Sequence, residues 1–149
     1  MPGFVAAGAA FLFAVLWFDL MFDVQVRRYP SGTLPPEILS ATSSYYRRVT
    51  VEGAPMMYLP VAVMVLVLAA IVLELVKETM TPWVGWLSLV LAVWAVVSVA
   101  FIAVPRAQRI GRAQESPEVL SGLARAVFRL HALAAACWVV VIVLQLCGR

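Results

Sequence analysis

Four long apolar runs separated by short polar gaps organise this chain, at residues 4–26, 56–76, 83–104 and 123–147. Each is about twenty residues long, enough to cross the roughly 30 Å hydrocarbon layer of a bilayer as a helix. The first run is interrupted by Asp19 and Asp23 and lacks the basic start of a cleavable signal peptide, so it is expected to stay as a span. In the second, Pro55 is harmless in a first helical turn, whereas Pro60 predicts a kink. The third opens with Trp83 and Trp86, suited to a membrane interface, and meets Pro105, which predicts a bend or a stop. Ser116-Pro117-Glu118 reads as N-cap, first-turn proline and an acid favoured by the helix dipole, so the fourth helix starts there and protrudes two turns into water. Residues 34–50 are too polar to span; behind Pro35 and Pro36 they predict a short interfacial helix carrying Tyr45, Tyr46, Arg47 and Arg48. The pattern predicts one all-α domain, a four-helix transmembrane bundle.

Composition agrees: 64% hydrophobic residues, 13% charged and a mean hydropathy of +0.97 exclude a soluble domain, whose surface would have to be far more polar. With 149 residues given to spans and short loops, no separate soluble catalytic domain fits, and any site lies among the helices or at their ends. Charge then sets orientation. Of the 11 basic residues, Arg27, Arg28, Arg47, Arg48, Arg106, Arg109, Arg112, Arg125 and Arg129 flank one side; only Lys77 and Arg149 flank the other. The positive-inside rule puts both basic connections in the cytoplasm and both termini outside, as for a multi-pass protein of the bacterial inner membrane. The net charge of +3 therefore speaks for lipid headgroups as partners and not for nucleic acid.

Ionisable groups inside spans are costly unless paired, which makes them candidates for function. Asp19, Asp23 and Arg27 follow at i+4 steps on one stripe, which also includes Gly8, a small residue that lets another helix approach. If helical phase continues through Gly53 and Pro55, then Tyr45, Arg48, Glu52 and Met56 form a second stripe. On the fourth helix Arg125 and Arg129 share a face with Ala132 and Ala136, while His131 lies with Phe128, Ala135 and Trp138; Arg129 and His131 cannot serve one site. These groups occupy the basic half, and the opposite half is expected to be nearly free of charge. Two accounts stay open. In one, Asp19, Asp23 and Glu52 neutralise Arg27, Arg48, Arg125 and Arg129 in a structural ion-pair network. In the other, a pocket uses Asp19 or His131 for proton transfer, with the arginines holding an anionic substituent. A single histidine excludes bis-histidine haem, Cys137 and Cys147 are too far apart on one helix for a disulfide, and no phosphate loop or metal spacing occurs, so no cofactor and no metal is expected.

Three segments resemble the DUF1772 group of small four-span membrane proteins, which includes anthrone oxygenase-like proteins: Ser44-Tyr45-Tyr46-Arg47-Arg48, the stretch from Val104-Pro105-Arg106 to Gly111, and Phe128-Arg129-Leu130-His131. The family's Pro-x-Asn is Pro105-Arg106-Ala107 in this chain, and its tryptophan and arginine around the histidine are Val127 and Ala134. The resemblance implies a four-span fold and an oxygenase-like enzyme acting on a lipophilic aromatic or quinone-like substrate, with His131 and Asp19 in proton transfer. By length and topology the chain is also similar to trimeric glutathione-handling four-span enzymes, without their Asn- and Glu-bearing motif. Beside the enzyme stands a non-enzymatic reading, an accessory or lipid- and partner-binding bundle that takes up a lipophilic small molecule or joins a homo-oligomer or larger membrane complex. On that reading Arg129, Arg125, Arg48, Glu52, Tyr45 and Asp23 are its binding residues.

Overall fold

The computed structural model describes residues 2–148, which form six α-helices joined by tighter and wider helical turns. They are α1 (Pro2–Asp23), α2 (Pro36–Tyr46), α3 (Tyr58–Val76), α4 (Pro82–Ser98), α5 (Val104–Arg112) and α6 (Pro117–Cys147). Among the described residues four continuous helical stretches are long and apolar enough to cross a membrane: Pro2–Arg28, Ala54–Val76, Pro82–Arg112 and Pro117–Cys147. The protein is a multi-pass membrane protein built as an all-α four-helix bundle. Arg149 lies outside the described residues.

Local chemistry sets the helix boundaries. Proline at N1 opens α2, α4 and α6, where its missing N–H needs no partner. Ser116 caps α6 as its sequence implies, its side chain accepting from the Val119 N–H. Pro105 neither stops nor breaks the third span. The chain widens into a π turn at Val99–Ala103, which makes room for the proline ring, and continues as α5 to Arg112. In the second span Pro60 falls in the first turn of α3, where no intrahelical donor is lost. The irregularity lies earlier, in a π turn at Arg47–Glu52 and a 3₁₀ turn at Ala54–Met57. These turns break the helical phase, so the stripe of Tyr45, Arg48, Glu52 and Met56 does not form: Arg48, Glu52 and Met56 are exposed while Tyr45 is half-buried.

α1 packs against α3 and α6, and α4 against the same two, giving a closed ring of four in which sequence neighbours run antiparallel. Its core is rich in small residues, Ala9, Ala70, Ala92, Ala95, Ala134 and Ala135, with Trp138 filling the centre. Small residues matter because lipid offers no hydrophobic drive for helix association, so attraction comes from close packing. Gly8 shows this close packing: a Cβ there would lie 2.4 Å from Val67 Cγ2, so a larger residue would force Val67 of α3 to shift. Outside the ring, Trp17, Phe18, Val65, Val90 and Phe101 are exposed, as a lipid-facing surface requires.

A second core closes the basic end. Val26, Leu34, Tyr46, Ala107, Ile110, Ala124 and Val127 bring α2 against α5 and α6. The loop before α2 is pinned to α6, since Ser121 Oγ accepts from Leu34 N–H at 2.9 Å and Arg125 donates to the carbonyls of Tyr29 and Gly32. α2 is thereby fixed as a helix lying over the end of the bundle.

Candidate functional site

The carboxylates of α1, the tyrosines of α2 and the histidine of α6 meet at the basic end of the bundle. Asp19 and Asp23 are one turn apart on α1, and the adjacent Tyr45 and Tyr46 reach one each. Tyr45 Oη donates to Asp19 Oδ1 at 2.6 Å and Tyr46 Oη to Asp23 Oδ1 at 2.7 Å. The Asp23 Oδ2 atom lies 2.9 Å from His131 Nδ1. Asp23 is fully buried and His131 only 4% exposed, so this second pairing is shielded from solvent. The Tyr45 ring also stacks on Phe22, with centroids 4.0 Å apart, which holds the end of α2 against α1. Burial, reinforced by the neighbouring carboxylates, pushes both phenols well above the ordinary tyrosine range, keeping them as donors.

This arrangement replaces the expected ion-pair network. Among the described residues no arginine or lysine forms an ion pair with Asp19 or Asp23. Arg27 leaves the stripe because Val24–Arg28 is a 3₁₀ turn with three residues per turn; it is exposed whereas Asp23 is buried. Arg48, Glu52 and Arg129 are exposed, and Arg125 is committed to loop carbonyls. Arg109 forms a two-point bond to Glu115 at 2.7 and 2.8 Å, which holds the Glu115 carboxyl below its usual range. Of the site residues expected from the sequence, the structure brings together Asp19, Asp23, Tyr45 and His131. His131 faces inward and Arg129 outward, as their angular separation on one helix requires.

Between α1, α3, α6 and the two π turns lies a cavity with about 80 Å³ of space for the centres of water-sized molecules. Its polar rim is Asp19, Tyr46, Thr50 and His131; the remainder is apolar, including Leu16, Met64, Val99 and Trp138. Val49 and Thr50 come from one π turn and Val99 from the other, so both wide turns shape this space. Thr50 donates its hydroxyl to the Tyr46 carbonyl at 2.7 Å, tying the first π turn to α2. Since Nδ1 of His131 is held by Asp23, Nε2 is the ring atom left for an occupant; no hydrogen bond engages it among the described residues. Neither Tyr46 nor Thr50 is among the site residues expected from the sequence. Tyr46 carried the same signal as its neighbour, an aromatic hydroxyl beside the spans, whereas Thr50 carried none.

The opposite end, expected to be nearly free of charge, buries one acidic residue. Glu74 on α3 is 1% exposed and lies against Gln145 of α6, whose amide also donates to Ser88 Oγ at 3.3 Å. A carboxylate inside an apolar run was a sufficient signal for it. Comparisons of the chain with protein-family models, curated proteins and solved structures found no match.

Proposed function

We propose that this membrane protein binds a small lipophilic molecule in the cavity at its basic end, with the basic connections facing the cytoplasm. The observation that supports this reading is the cavity itself, an apolar space inside the bundle with a short polar rim of Asp19, Tyr46, Thr50 and His131. A single water needs only about 10–15 Å³ of such space, so the cavity has room for several heavy atoms. Apolar walls with a few convergent polar groups are the usual make-up of a small-molecule site. Asp23, itself held by the Tyr46 hydroxyl, then serves to hold the His131 ring in one orientation through Nδ1. The arginines left exposed without hydrogen-bond partners among the described residues at this end, Arg27, Arg28, Arg48, Arg112 and Arg129, fit lipid headgroups on the cytoplasmic side. In the cavity His131 serves as a hydrogen-bonding part of the wall.

Native mass spectrometry of protein extracted with its own lipids tests it. A bound lipophilic mass is expected in the wild type, lost in Val104→Phe, which fills the cavity, and retained in Val65→Phe, which faces lipid. An empty protein in every preparation overturns the proposal.

A further inference from the structure

The charge balance of the cavity identifies the class of its occupant. The cluster beside it holds two carboxylates, Asp19, which lines the cavity, and Asp23, which lies behind His131, against one imidazole, so whatever the state of His131 the positive charge present is at most half the negative charge the carboxylates carry when ionised. Asp23 is bound on both oxygens, by Tyr46 and by His131. Asp19 receives one bond, from Tyr45, and borders the cavity. Among the described residues no lysine or arginine lines it, although nine arginines surround this end of the chain. A carboxylate facing an apolar space inside a membrane is stabilised by a counter-charge, and the one basic side chain lining this space among the described residues, His131, is already bonded to Asp23. Tyr46 and Trp138 border the same space with electron-rich rings, and His131, more than nine-tenths buried, brings a ring nitrogen that no hydrogen bond engages among the described residues.

We infer that the cavity takes a lipophilic ammonium cation, an alkylamine whose charged head meets Asp19 while its chain follows the apolar wall. The inference rests on the pocket proposed above and inverts the role first expected for charge at this end: the arginines that were to hold an anionic group lie outside the cavity, and the group that remains inside is acidic. An anionic amphiphile meets Asp19 with like charge and is excluded.

The test uses a series of equal chain length and different charge, octylamine, octanol and octanoate, added to the full-length protein in nanodiscs of zwitterionic lipid. The chain has one histidine, so ¹⁵N-histidine labelling gives a single-site reading of the cavity. Octylamine is expected to shift the His131 ring signals saturably, octanol to bind at least about tenfold more weakly, and octanoate to leave them unchanged. Asp19→Asn, which keeps an acceptor for Tyr45, is expected to bring octylamine down to the octanol level. Octanol binding as tightly as octylamine, or octylamine binding unchanged in Asp19→Asn, overturns the cation while leaving the lipophile pocket standing. If none of the three moves the signal and no native ligand is found by mass, both fall. Should Asp19→Asn not fold, the charge series on the wild type decides alone.

Discussion

Replacing Gly111 with alanine tests the contact that places the tyrosines. A Cβ at this position would lie 2.7 Å from Arg47 N, 2.9 Å from the Tyr46 carbonyl carbon and 3.0 Å from Arg47 Cα. All three are backbone atoms, so no side-chain rotation relieves the clash. To restore ordinary contact at 3.4 Å, α5 and the end of α2 must separate by about 0.7 Å, which also weakens the bond from Arg47 Nε to the Gly111 carbonyl. Overpacking of this kind costs about 1–3 kcal/mol, and the backbone contacts place it in the upper half. Alanine's better helix propensity returns about 1 kcal/mol, leaving a net loss of about 1–2 kcal/mol. Gly122, with nothing within 4 Å of a built Cβ, is the matched control, and Gly122→Ala is expected to gain about 1 kcal/mol. Reversible unfolding of both variants in one detergent, followed by circular dichroism, measures the difference. Because Tyr46 moves with Arg47 and bonds Asp23, the ¹⁵N signal of His131 should shift in Gly111→Ala and not in Gly122→Ala. Equal stabilisation by both alanines, with an unmoved histidine, refutes the contact.

The remaining predictions concern the same end of the molecule. Tyr46→Phe removes a buried donor from Asp23 and should cost about 1.5–3 kcal/mol in the same unfolding assay, more than Tyr45→Phe at its half-exposed site; the reverse order contradicts the assigned bonds. Ala113 ends α5 at φ +50°, a conformation that favours glycine, so Ala113→Gly should raise stability by about 1 kcal/mol, and a loss of stability would argue against that turn. The phenols of Tyr45 and Tyr46 have pKa values raised by burial and by the carboxylates, so the fold favours their neutral forms. That stabilisation is complete below about pH 10, the unfolded value, and is lost as pH rises from there toward the folded values. Absorbance titration of the native protein should then show the same phenolate amplitude in the wild type and in the Tyr45→Phe/Tyr46→Phe double variant, a difference between them being the contrary result.

Periodicity and charge were enough to determine the bundle, because a bilayer accepts few solutions: twenty apolar residues span as a helix, and the polar remainder lies at its ends. Local signals such as Ser116-Pro117-Glu118 were legible for the same reason, being satisfied within one turn of chain. Single residues inside spans were legible as exceptions, and Asp19, Asp23 and His131 do meet in one site. What the sequence did not determine was who partners whom. Extrapolating an ideal helical period put Arg27 beside Asp23 and aligned Tyr45 with Glu52, but a 3₁₀ turn at Val24–Arg28 and a π turn at Arg47–Glu52 rotate these side chains apart. Each such turn changes the angle per residue and so shifts the facing of every residue beyond it. Tyr46 reaches Asp23 across 23 positions and His131 reaches it across 108, distances at which only tertiary packing decides contact. The sequence thus determined that polar groups would be buried at the basic end, and the tertiary structure decided that tyrosines and a histidine, and not arginines, would hold them.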